Sequence, residues 1–215
     1  MDIEFRQVPP GKIEETSFRI IEEELKELWP KGLPFTPGQF QVLRRMIHAC
    51  GDMELARLVR FHPDAVEAGV EALRSGKSIL VDVNMAAKGI TKGLLEGLGG
   101  SVICSIGSSE AERLAQELGI TRAEAGMELA AGRRDIGIVA IGNAPTALIR
   151  VVRMVQEGRF LPDLIVGVPV GFVNAAESKE FLQGLDHPWI TIRGRKGGTP
   201  AAVAAVNALL RLAAG

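Results

Sequence analysis

The stretch IGIVAIGNAPTAL, Ile136 to Leu148, decides how this chain is built. Residues 136–142 are continuously apolar and rich in β-branched side chains. A strand with one wet face would alternate with polar residues, so an unbroken apolar run of this length fits a strand covered on both faces. Asn143 then stands where a helix N-cap belongs, with Pro145 in the first turn, and a helix is expected over Pro145 to Gln156. Strand, tight turn and helix in such short order form the repeating unit of a parallel sheet.

Similar runs lie on both sides of it. SILVDV (Ser78 to Val83) and SVICSI (Ser101 to Ile106) come before it, and LIVGVP (Leu164 to Pro169) and WITIRG (Trp189 to Gly194) after it. Helical periodicity fills the gaps at Ser109 to Leu118, Arg122 to Ala131 and Ala175 to Leu182, and again in the final TPAAVAAVNALLRLAA. The N-terminal part is helical. IEETSFRIIEEELKELW (13–29) has one apolar side, Thr36 with Gln39 is a capping-box start for the next helix, and a third helix is expected from Pro63 to about Arg74. The expected fold is α/β, a doubly wound and mainly parallel sheet of about five strands with helices on both faces, plus N-terminal helices. Residues 1–215 are read as one domain.

Composition narrows the function. The net charge is −1 and the pI about 6.3. A nucleic-acid coat or polybasic membrane binder needs a broad positive field, so neither partner is expected. Cys50 and Cys104 stand in no spaced Cys/His set, so no metal site or disulfide framework is expected. No run of apolar residues is long enough to span a bilayer and no signal segment opens the chain, which points to the cytoplasm.

In a doubly wound sheet, ligands bind beyond the carboxyl ends of the strands. The loops there read DVNMAAKGIT, GNAPTAL, GVPVGFVNAAESK and RGRKGGTPAA. Helix starts at Asn143 and at Thr199–Pro200 offer N–H groups to an anion, and Arg193, Arg195 and Lys196 add charge to the second. Ordinary turns and caps would show the same residues. Nucleotide and hydrolase signatures are absent: there is no G-x-G-x-x-G after the first strand, no phosphate-loop spacing and no G-x-S-x-G elbow.

RRMIHACGD, Arg44 to Asp52, places His48 one helical turn beyond two arginines. The imidazole is open to three readings: a packed core residue, a metal ligand, or a group that handles a proton beside an anion held by Arg45. Ser17 and Arg19 on the first helix are candidates to face it. Asp52 either tunes the histidine or ends its helix. His62 and His187 both precede proline and read as loop residues.

These motifs together resemble one family. SFRIIEEE (17–24), RRMIHACGD (44–52), DVNMAAKGIT (82–91), LGITR (118–122), AIGNAPTAL (140–148), GVPVGFVNAAESK (167–179) and RGRKGGTPAA (193–202) come in the order found in the precorrin-8X methylmutases, which include the cobalt-precorrin-8 methylmutases of corrin (vitamin B12) biosynthesis. The resemblance implies a flavodoxin-like fold and a homodimer. It implies an isomerase that moves a methyl group from C-11 to C-12 of a corrinoid tetrapyrrole bearing many carboxylates, giving hydrogenobyrinic or cobyrinic acid. It implies no metal or organic cofactor. The family's catalytic histidine falls on His48, as donor of a proton or hydrogen bond to a ring nitrogen, and family substrate contacts fall on Ser17, Arg45 and Arg122. Asn143 and Arg195, in the two Gly-rich loops, complete the expected substrate contacts. A non-catalytic corrinoid carrier on the same scaffold is the alternative.

Overall fold

The computed structural model describes residues 7–215. A 3-10 turn (Pro10–Lys12) leads into helices α1 (Ile13–Leu28), α2 (Pro37–Cys50) and α3 (Leu55–Leu58), strand β1 (Val59–Phe61) and helix α4 (Ala65–Arg74). The alternating part follows: β2 (Ser78–Val81), α5 (Asn84–Gly89), α6 (Lys92–Gly97), β3 (Val102–Ile103), α7 (Ser109–Leu118), α8 (Arg122–Glu128) and β4 (Ile136–Ile141). It continues through α9 (Pro145–Gln156), β5 (Leu164–Gly167), α10 (Ala175–Gln183), β6 (Trp189–Ile192) and α11 (Thr199–Ala214).

The sheet has six strands in the order β1-β6-β5-β4-β2-β3. The five expected strands, β2 to β6, are all parallel. Counted in chain order their arrangement is 2-1-3-4-5, the flavodoxin-like order, which places the topological switch between β2 and β4. The sixth strand, β1, corrects the expectation. It pairs antiparallel with β6 along one edge, Val59 opposite Ile192 and Phe61 opposite Ile190. Strand ends are also trimmed: the run SVICSI keeps only Val102 and Ile103 in the ladder.

Side-chain alternation sorts the core onto two faces. Ile79, Val81, Ile138, Ala140, Leu164, Val166, Ile190 and Ile192 pack under α1, α2, α4 and α11. Leu80, Val139, Ile141, Ile165 and Trp189 pack under α8, α9 and α10, and α7 lies against α8 through Ala111, Ala115 and Ala125. Each fully buried Leu or Ile contributes on the order of 1.5–3 kcal/mol, so this double-sided burial is what holds the strands in one sheet. Thr36 and Gln39 close their capping box, each side chain accepting from the other's backbone N–H. The alanines of α11 let α2 approach closely, with Val42, Leu43, Met46 and Ile47 buried along the seam.

Candidate functional site

Two expected caps are each displaced by one residue, that of α9 forward from Asn143 and that of α11 back from Thr199. The N-cap of α9 is Ala144, and that of α11 is Gly198 at φ +123°. The reason for the first shift is Asp82, which follows β2 and is 1% exposed. Its carboxylate accepts from the backbone N–H groups of Gly142 (3.3 Å), Asn143 (2.7 Å) and Ala144 (2.8 Å). Burial raises this carboxyl above the ordinary range, and the three N–H groups act in the opposite direction. The anion held at this helix start is therefore the protein's own, and the backbone there is not free for a substrate carboxylate. The side chain of Asn143 is exposed. Gly142 is required where it stands, because a Cβ there would lie 2.6 Å from Thr199 Cα. The start of α11 thus rests directly on the end of β4.

The RGRKGG loop is laced to its neighbours. Gly198 N–H donates to Val168 O (2.8 Å), Gly171 N–H to Arg195 O (3.2 Å), and the fully buried Lys179 to Lys196 O (2.6 Å). Lys196 reaches back to the end of α2 and pairs with Asp52 and Glu54, both at 2.6 Å. Asp52 also accepts from Glu54 N–H (2.9 Å). The Lys196 pair holds the Asp52 carboxyl below its ordinary value. Asp52 therefore closes the helix end and anchors a loop, and its carboxylate is committed to Lys196.

His48 is exposed, which removes the packed-core reading. Its ring meets Phe18 edge-on at 5.4 Å, and Phe18 lies under the guanidinium groups of Arg44 (4.2 Å) and Arg45 (5.0 Å). Arg44 is held in place by Glu22 and Gln41. Arg45 pairs with Glu14 at 2.8 Å. Arg45, His48 and Ala49 form one wall of a cavity of about 260 Å³, and Pro200, Val203, Ala204 and Asn207 of α11 form the other. Asn207 ties in the DVNMAAKGIT loop, accepting from Thr91 N–H (2.9 Å) and donating to Gly89 O (3.0 Å). Ser17 neighbours Phe18, and its hydroxyl donates to Ile13 O (2.8 Å).

The other expected contacts lie apart from this group. Arg122 begins α8 on the opposite face of the sheet and pairs with Glu112 (2.6 Å). Arg195 lies over the Phe172 ring at 5.4 Å. His62 and His187 flank Trp189, at the opposite end of β6 from the RGRKGG loop. A larger cavity of about 820 Å³, between Trp29, Phe35 and Phe61, shares no lining residue with the His48 cavity. Among the described residues no three His, Cys, Asp or Glu side chains gather closely enough to hold a metal ion. Sequence reasoning passed over Glu14 and Lys179. The partner of Glu14 is 31 positions away and that of Lys179 is 17, so no local spacing announces either.

The flavodoxin-like sheet, with Arg45 and His48 facing an alanine-rich helix across a cavity, places the chain among the doubly wound α/β proteins. Comparison with known proteins makes it specific. The sequence model of the family described as precorrin-8X methylmutase matches residues 12–212. The cobalt-precorrin-8 methylmutase of Priestia megaterium is 47% identical over 206 residues, covering 96% of this chain and 89% of the relative. That of Methanocaldococcus jannaschii is 42% identical over 198 residues, covering 92% and 91%. The crystal structure of a precorrin-8x methyl mutase from Thermus thermophilus superposes with a TM-score of 0.83 at 41% identity, covering 94% of this chain and 98% of that one. The chain belongs to the precorrin-8X methylmutase family.

Proposed function

We propose that this chain, acting as one domain in the cytoplasm, moves the methyl group from C-11 to C-12 of precorrin-8X or of cobalt-precorrin-8. The products are hydrogenobyrinic acid or cobyrinic acid. The observation that carries this reading is the exposed His48 imidazole beside Arg45 on the wall of a cavity. The reaction is a rearrangement within one molecule: the bond from the methyl carbon to C-11 breaks as the bond to C-12 forms. The protein's task is to hold the ring and place a proton. Arg45 binds a peripheral carboxylate, and His48 donates a proton or hydrogen bond to a ring nitrogen, favouring the tautomer that rearranges and the conjugated product. Ser17, next to Phe18 on α1, is a further substrate contact.

Arg122, Asn143 and Arg195 bind further carboxylates, and they act from separate patches. This separation supports a site completed by a second copy of the chain. So does the exposed apolar rim of Phe172 and Val173 on the loop after β5, together with Met85 after β2. The chain acts as a homodimer.

His48→Ala is the direct test. A positioned general acid contributes about 10²–10⁴ in rate, so conversion of precorrin-8X falls by that order while hydrogenobyrinic acid still binds. Wild-type turnover in the variant sinks the proposal, and a wild-type protein that binds the corrinoid without converting it is a carrier. Running metal-free and cobalt-loaded substrate in parallel identifies which the protein accepts.

A further inference from the structure

Two adjacent arginines on α2 are held in different ways. Arg44 has two acceptors, Glu22 and Gln41, and stacks on Phe18 and Phe40, so it is fixed. Arg45 has one carboxylate partner, Glu14 on α1. The pair is asymmetric: the Arg45 side chain is 19% exposed and the Glu14 side chain 52%. Arg45 is the held member. Glu14 is free to swing into water at little cost, since an exposed pair of this kind is weak.

Arg45 also lines the same cavity as the candidate proton donor. A guanidinium that is to receive a substrate carboxylate already carries a carboxylate of matching chemistry. Two guanidinium groups act on Glu14, Arg45 from α2 and Arg211 from α11, and the His48 imidazole adds to them when it carries a proton. Burial alone would raise its carboxyl, but these neighbours take it below the ordinary range, so it is an anion at neutral pH.

We infer that Glu14 is a resident stand-in for a substrate carboxylate: an acetate or propionate arm of the corrinoid displaces it from Arg45, and the displaced carboxylate then supports the His48 imidazolium. This rests on the methylmutase reading and adds a coupling to it. Arrival of the substrate's anionic arm strengthens the charged form of the acid that the reaction needs. No bond is made or broken in the exchange, and one anion replaces another on Arg45. Arg44 and Arg45 share the Phe18 ring with His48, Glu14 pairs with Arg45 from one turn before Phe18 on α1, and Arg211 on α11 acts on Glu14. Asp52, at the end of α2, is occupied by Lys196, and Arg19 on α1 acts on Glu15. With Glu22 committed to Arg44, Glu14, one turn before Phe18 on α1, is left to face the imidazole. Its role is positioning, through Arg45 and His48.

The test uses Glu14→Gln and Glu14→Asp in the full chain. Affinity for hydrogenobyrinic acid is titrated by absorbance, and kcat and KM for precorrin-8X are followed against pH. With the competitor gone, Glu14→Gln binds the corrinoid up to about fivefold more tightly, the most an exposed ion pair contributes. Its kcat falls, because the imidazolium has lost its anion. The alkaline limb of kcat moves to lower pH, since removing a nearby negative charge favours the neutral ring. Glu14→Asp, which keeps the charge, keeps the limb near its wild-type place. Unchanged or weaker corrinoid affinity in Glu14→Gln overturns the displacement, and an unmoved limb overturns the hand-off to His48. If the wild-type protein binds no corrinoid, or His48→Ala turns over normally, the methylmutase reading fails and the exchange goes with it. Normal wild-type turnover with a silent Glu14→Gln overturns the exchange alone.

Discussion

Asp82 and Arg45 show how single residues divide between building the site and serving it. The Asp82 carboxylate gathers three N–H groups at the junction of β4 and α9. Asp82→Asn keeps the shape but turns an NH₂ group toward those donors. Leaving buried donors unpaired costs about 1–3 kcal/mol, so the unfolding free energy of this variant falls by that amount, read as a lower denaturation midpoint with an unchanged slope. Arg45 is judged by ligand. Arg45→Ala weakens hydrogenobyrinic acid binding by about 1.5–3 kcal/mol, as for a charged hydrogen bond. Arg122→Ala weakens it less, at most about 1 kcal/mol, because Arg122 stands in solvent and already pairs with Glu112. Binding titrations of both variants check this order. The sequence made His48 and Arg45 legible because they share one helix face, one turn apart. It could not show that Asp82 reaches across 60 positions to take the N–H groups that Asn143 was expected to cap, nor that Asp52 answers Lys196 at a separation of 144.

Among the elements, the long and strongly periodic ones were readable. The expected spans of α7 and α9 are matched at both ends, and the apolar runs became β2 to β6. The short ones were not. In β1 the segment Val-Arg-Phe carries a charge at its centre and becomes a strand only by pairing with β6. Helices α5 and α6 have six residues each, too few for a period to emerge. The loop between β6 and α11 makes its own prediction through Lys179. Burial pushes this ammonium down to about 8, against 10.5 for an ordinary lysine. Between those values the unfolded chain holds the proton more than the folded one does. Stability arising from this group therefore increases as pH rises through the window. Lys179→Met has nothing to titrate there. Measured from pH 8 to 10.5, the stability difference moves toward the wild type, by at most about 3 kcal/mol.

At the scale of the molecule, the uncovered loop after β5 is where the proposed homodimer can be tested. Phe172 is 84% exposed and Val173 77%, two adjacent apolar side chains open to a partner surface. Phe172→Asp places a charge in that rim, and sedimentation at micromolar concentration then shows more monomer than the wild type. An equal dimer fraction in both would remove the rim from the interface. No helix among the described residues is long and apolar enough to cross a membrane. The fold also joins early residues to late ones. Strand β1 needs β6, and the apolar side of α2 is closed by α11. During synthesis, Val42, Leu43, Met46 and Ile47 leave the ribosome about 150 residues before Thr199 follows. At roughly 5–20 residues per second, the nascent chain carries that greasy flank unprotected for on the order of ten seconds. Those seconds are the interval in which exposed apolar surface makes the chain a chaperone's client.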